Sequence, residues 1–223
     1  MTGEGYREKL DRAVAFAGVS HEFFARAKAE ELVQLARREL GDPAGLEALD
    51  AGCGIGLVDQ HLRGRFRSLT GTDLSPEALA TAAGENPGVR YSLAEPGALP
   101  FDDDSFDLTF AANVVQVVAR EERPRFVAEL ARVTRSGGLV TVFEHNPRNP
   151  LTRLVVRRFE LGSDVRMLSA DDTARLLHDA GLTPVERGYM VLFPSRRRHL
   201  LQLEQALRRF PLGAQYYLAA RRS

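Results

Sequence analysis

The chain has 223 residues, 44% of them hydrophobic, 8% aromatic and 27% charged, a mix that builds one α/β domain with a real core and excludes intrinsic disorder. Thirty Lys and Arg balance thirty Asp and Glu for a formal net charge of zero, so no global field draws the chain to a nucleic-acid backbone or an anionic bilayer. The lone Cys53 excludes an intramolecular disulfide and a multi-cysteine zinc site; His21, His61, His145, His178 and His199 show no paired ligand spacing, so no metal is expected. No apolar run approaches the roughly 20 residues that span a bilayer, and Met1 to Lys9 lack a signal-peptide core, so a cytoplasmic location is expected.

In chain order, a short helical stretch around Tyr6 to Phe16 precedes a helix over His21 to Leu40, which Ser20 can cap and which Gly41 and Pro43 terminate. Short apolar runs bounded by Gly, Asp or Asn then predict five parallel strands: Leu46 to Asp50, Ser68 to Asp73, Val89 to Leu93, Phe106 to Ala111 and Leu139 to Phe143. Helical stretches alternate with them over Leu57 to Arg63, Pro76 to Ala83 and Pro124 to Arg135, the last with Phe126, Leu130 and Val133 on one face. Ser75 before Pro76 is a helix start, since proline's missing N–H costs nothing in the first turn. Downstream, Ser169 and Asp172 open a helix that stops at Gly181, and a strand follows over Pro184 to Phe193. A basic amphipathic helix with Leu200, Leu203 and Leu207 on one face leads to a final strand, Gln215 to Ala219, pairing antiparallel with the strand before it. The whole predicts a doubly wound, mostly parallel seven-stranded α/β sheet with one antiparallel strand.

The chemistry concentrates in Leu49-Asp50-Ala51-Gly52-Cys53-Gly54-Ile55-Gly56, where a strand gives way to a helix. Glycines at every second position let the backbone turn tightly and approach a ligand, although a purely structural turn has the same composition. The G-x-G-x-G spacing departs from the dinucleotide pattern, since Leu57 stands where a later glycine often continues it. The second strand ends in Gly71-Thr72-Asp73-Leu74, which puts a carboxylate at the ligand-binding edge of the sheet. Such a carboxylate accepts both ribose hydroxyls and repels a 2′-phosphate.

These segments, with Asp73-Leu74-Ser75-Pro76, Ala98-Leu99-Pro100-Phe101, Ser105-Phe106-Asp107 and Leu130-Ala131-Arg132-Val133 running to Gly137-Gly138, resemble the class I S-adenosylmethionine-dependent methyltransferases. The likeness is to the small-molecule type related to quinone-biosynthesis enzymes, in the methyltransferase-11-like domain, and covers roughly residues 46–144. It implies a Rossmann-like fold with an N-terminal helical lid (1–45), a cofactor-binding core (46–144) and a substrate-side C-terminal half (145–223). It implies S-adenosylmethionine as donor and S-adenosylhomocysteine as product. Asp50 and the Gly52 carbonyl would meet the donor's ammonium, the Cys53, Gly54 and Gly56 backbone would cradle it, Asp73 would hold the ribose and Leu74 would pack on adenine. Glu95 would take the adenine amino group; Pro96 beside it lacks the N–H that relatives give the ring, so that contact should shift. Asn113 would meet the methionine part through its backbone, unless it is an ordinary loop residue.

Lys28 shares a helical face with Phe24 and Leu32, and either snorkels out of that stripe or neutralises the donor's carboxylate beneath a lid that Phe23 and Phe24 help close. His145, in Phe143-Glu144-His145-Asn146-Pro147, is the candidate general base for a hydroxyl or amine, against the reading of a hydrogen-bonded structural histidine. At most one of Tyr216 and Tyr217 faces the site, and His21 and His178 read as surface or packing residues. Arg196, Arg197, Arg198, Arg208 and Arg209 form a solvated helix face or one that meets an acidic carrier protein or a phosphate. The expected function is methyl transfer to a small-molecule acceptor, by preference at oxygen. Nucleic-acid methylation is disfavoured by the zero net charge and by Ala111-Ala112-Asn113-Val114, which lacks a base-stacking Pro-Pro-aromatic run. A non-methylating cofactor-binding module and a nicotinamide enzyme stay as alternatives.

Overall fold

The computed structural model describes residues 20–159, 166–192 and 207–223. The helix expected over 6–16, most of the basic helix around Leu200 and Leu203, and Phe193 lie outside them. Five strands pair in parallel: β1 (Glu47–Ala51), β2 (Ser68–Asp73), β3 (Arg90–Leu93), β4 (Phe106–Ala112) and β5 (Thr134–His145). With β6 (Leu182–Met190) and β7 (Gln215–Arg222) they form one sheet of order β3-β2-β1-β4-β5-β7-β6, in which β7 runs antiparallel to both neighbours. The reversal of strand order between β1 and β4 opens the ligand crevice that doubly wound sheets share. In register, Asp50 sits between Gly71 of β2 and Phe110 of β4, so the glycine loop begins at that crevice.

Side chains alternate across the sheet with period two. Leu108, Phe110, Leu139, Phe143 and Tyr217 face one layer, which α1 (His21–Glu39) covers with Ala25, Ala29, Leu32, Leu35 and Ala36. Leu49, Val140, Val142 and Tyr216 face the other, under Val127, Leu130 and Val133 of α4 (Arg123–Val133) and Leu177 of α6 (Ala170–Asp179). Phe126 packs against that cluster, as its place on the face predicts. Between these lie α2 (Asp59–Leu62), α3 (Pro76–Glu85) and α5 (Pro150–Phe159).

Several boundaries differ from the sequence expectation for physical reasons. The helix expected from Leu57 is regular only over Asp59–Leu62, because the left-handed Gly54 and Gly56 hold the preceding turns open. The helix expected to reach Arg135 stops at Val133, since Thr134 already pairs with Phe106. Ser75 and Ser169 do cap, accepting from Ala78 N and Asp172 N, whereas Ser20 occupies its cap position without a side-chain bond. Pro184 is tolerated inside β6 because that strand is an edge and bulges between Pro184 and Glu186. The helix over Pro150–Phe159 lies where the sequence pattern predicts no element; Asn149 before Pro150 repeats the Ser75–Pro76 start, and its Oδ1 accepts from Thr152 N at 3.0 Å.

Candidate active site

A cavity of about 940 Å³ opens along the C-terminal edge of β1, β2, β4 and β5. Lys28, Asp50, Gly52, Cys53, Gly54, Asp73, Leu74, Glu95, Pro96, Asn113 and His145 all border it. Gly56 stands behind the loop, where an added Cβ would meet Asn86 and Tyr91. Gly52 N and Cys53 N donate to Thr72 O at 2.7 and 3.0 Å, which ties the loop to β2. Asp73 Oδ2 accepts from Gly54 N at 2.8 Å and Oδ1 from Ser75 N at 3.0 Å, so the carboxylate is fixed at the cavity's border with lone pairs to spare. Pro96 opens the turn from Glu95 to Ala98, whose N–H donates to Glu95 O at 3.1 Å. Asn113 adopts φ 63° at the end of β4, a left-handed turn that asparagine tolerates, and folds residues 114–118 over the cavity. Burial pushes the Cys53 thiol far up, so it is an inert wall atom.

Beneath the loop lie two buried carboxyls, Asp50 and Asp59, 2% and 0% exposed. Tyr91 Oη donates to Asp59 Oδ2 at 2.8 Å. Burial raises the Asp50 carboxyl well above its usual range, helped by the charges of Asp59 and Asp73 and opposed by Lys28. Burial also lifts Asp59 to about 6, against the hydrogen bonds of Tyr91 and Asp50. Asp50 borders the cavity, and its carboxyl is buried beside that of Asp59 beneath the loop.

Lys28 does not snorkel: it is 3% exposed and faces Glu144 and Asp50, with burial pulling its ammonium down to about 8 against both carboxyls. Glu144 is fully buried and raised to about 8 by that burial, although Gln116 N donates to its Oε1 at 3.2 Å. Gln116 Nε2 lies 2.7 Å from His145 Nδ1, so the amide donates and the ring carries its proton on Nε2. Burial, then the Lys28 charge, drive the imidazole down to about 3. Gln116 itself is held by Arg123 Nη2 on its carbonyl at 3.2 Å. Sequence reading missed Gln116, Gln215 and the pocket face of His21, because their roles come from a loop and a strand end with no motif of their own. Tyr216 and Tyr217 both pack instead, on Thr173 and Leu168 and on Glu186 respectively; His178 is exposed beside Asp179. Arg208 turns inward to Glu186 at 2.6 Å, which takes it off the solvated face expected for it.

The fold and the cavity together define a Rossmann-like domain with a ligand-sized cavity at its glycine loop. Residues 49–142 match the family model described as a methyltransferase domain, a stretch that takes in the glycine loop, Asp73 and the ends of β1, β2 and β4. Among curated relatives, malonyl-(acyl-carrier protein) O-methyltransferase of Pectobacterium atrosepticum is 33% identical over 144 residues, covering 63% of this chain and 54% of the relative. The protein of the same name from Erwinia billingiae is 38% identical over 120 residues, covering 54% and 45%. This chain therefore spans about half the length of those relatives. A TehB-like methyltransferase structure from Corynebacterium glutamicum shares the fold at TM-score 0.64, with 18% identity over 99% of this chain and 97% of that one. Among the described residues no helix is long and apolar enough to cross a membrane, and no cluster of His, Cys, Asp and Glu is set to hold a metal.

Proposed function

We propose that the protein moves a methyl group from S-adenosylmethionine to an oxygen of a small-molecule acceptor, a carboxylate in particular. The observation that carries this is the single cavity that joins the glycine loop and Asp73 to the His145 edge of β5. In this reading Asp73 holds the ribose hydroxyls, Leu74 and Glu95 flank the adenine, Asp50 and the Gly52 carbonyl receive the ammonium, and Lys28 neutralises the donor's carboxylate. Cys53, Gly54, Pro96 and Asn113 complete the wall by backbone and shape, and Gly56 keeps the loop in place from behind. The bound donor supplies a sulfonium methyl that passes in line to the acceptor oxygen, the C–S electron pair returning to sulfur. The chain's part is to align the two and exclude water.

The base expected at His145 gives way, in this proposal, to a hydrogen-bond donor. A ring held near 3 is a poor proton acceptor at neutral pH, while its Nε2–H, fixed by Gln116, can orient an acceptor oxygen. An acceptor that arrives already ionised needs no base, which favours a carboxylate over an alcohol or amine. The two relatives named for O-methylation of a malonyl group on a carrier support oxygen as the acceptor atom, and a carrier-borne acid is the second form the substrate can take. Calorimetric titration with S-adenosylmethionine, S-adenosylhomocysteine and NAD tests the donor. Selective binding of the first two is expected, weakened by about 2 kcal/mol in Asp73→Ala through lost charge-assisted hydrogen bonds. Equal affinity in a folded variant refutes the ribose placement.

A further inference from the structure

The acceptor side of the cavity divides sharply between wall and floor. Phe24 of α1, Leu151, Val155 and Val156 of α5, and Val191 and Leu192 after β6 make an apolar wall. The polar residues within that wall are taken up by nearby backbone. Thr152 Oγ1 donates to Ala214 O at 3.1 Å and Asn149 Nδ2 to Leu212 O at 2.7 Å, while Asn149 Oδ1 caps α5. Leu151 and Val117 are 48% and 52% exposed where they border the cavity, so the mouth is apolar as well. At the floor the pattern reverses. Lys28, the His145 ring and the side chains of Gln116 and Gln215 gather at the edge of the sheet.

A wall whose polar groups are already bonded offers a ligand little but apolar contact, and a floor of polar side chains, with the His145 Nε2–H as donor, rejects an apolar end. We propose that the acceptor is an amphiphilic carboxylic acid, its carboxylate on the floor at the His145 ring and its apolar chain or ring lying along Phe24, Val155, Val156 and Val191. This deepens the methyl-transfer reading and rests on it for the chemistry, whereas the wall that selects an apolar body stands without it. A donor molecule extended from Glu95 to the floor leaves this half of the cavity for the acceptor, and the apolar mouth lets a longer body continue outward.

The test titrates the S-adenosylhomocysteine-loaded protein with straight-chain acids from butanoate to decanoate, with malonate and with octylammonium. Affinity should rise about fourfold per added methylene as each is removed from water. Malonate and octylammonium should bind at least tenfold more weakly than octanoate. Val155→Asp should flatten the chain-length series while leaving S-adenosylhomocysteine affinity unchanged, and Val155→Ser, a milder change on the same half-buried wall, should reduce its slope. Affinity independent of chain length, malonate equal to octanoate, or equal binding of the acid and the amine overturns the proposal. If the protein binds the acids in this order but not S-adenosylhomocysteine, the donor assignment fails and the apolar acid site stands.

Discussion

Two glycines of one loop should fail in opposite ways. Gly54 and Gly56 both have left-handed backbones, at φ 55° and 73°, and alanine in that region costs about 1–2 kcal/mol. At Gly54 an added Cβ meets nothing within 4 Å, so that backbone cost is the whole effect on stability. At Gly56 the Cβ would come 2.4 Å from Asn86 Nδ2, 2.8 Å from Tyr91 Oη and 3.1 Å from Ala82 Cβ. Asn86 cannot yield freely, because its Nδ2 donates to Gly56 O at 3.2 Å and to Ala82 O at 3.1 Å. Tyr91 can yield only by leaving Asp59. With that backbone cost, overpacking of about 1–3 kcal/mol and a similar cost for a buried carboxyl stripped of its donor bring Gly56→Ala to about 3–8 kcal/mol. Urea denaturation should therefore separate the two variants by at least ~2 kcal/mol. Gly54→Ala, whose methyl enters the cavity, should remain folded but lose at least tenfold in S-adenosylhomocysteine affinity. Equal stabilities for the two variants would refute the packing behind Gly56, and full affinity in Gly54→Ala would refute the close approach of ligand to the loop.

Asp59 supplies a pH test. Its carboxyl rises from 3.8 to about 6 on folding, so the folded chain holds the proton more tightly; the stability this contributes is present below about pH 4 and lost as the pH climbs through 6. Asp59→Asn, which can still accept from Tyr91, should gain up to ~3 kcal/mol at pH 8 and nothing at pH 4, and denaturation curves showing the reverse order would contradict the buried pair. At His145, removal of one oriented donor should lower kcat about a hundredfold in His145→Ala. The kcat/KM profile of the parent protein should show no limb near 6.5; a limb there that vanishes in the variant would restore the imidazole as base. Lys28→Met should weaken donor binding at least tenfold, and should lower thermal stability as well because it strips the buried Glu144 and Asp50 of their cation; unchanged affinity in the folded variant would free Lys28 from the donor.

What the residues alone determined is what short-range chemistry encodes. The glycine loop follows from backbone freedom at Gly54 and Gly56, the start of α3 from Ser75 and Pro76, and the alternating strands from short apolar runs bounded by Gly, Asp or Asn. The carboxylate at the end of β2 is likewise readable, because a strand end at the crevice is a position in a pattern. Only the tertiary structure decided the rest. Whether Lys28 reaches water or meets Glu144 depends on what covers it, and desolvation is a property of surroundings that lie more than a hundred residues away in the chain. The Asp50–Asp59–Tyr91 cluster joins β1, α2 and β3, and the Gln116–His145 contact spans 29 positions, so no local spacing announces either. The state of the imidazole follows from that contact and that burial: a histidine at a strand end reads as a base in sequence, and its partner and its neighbouring cation decide whether it can take a proton.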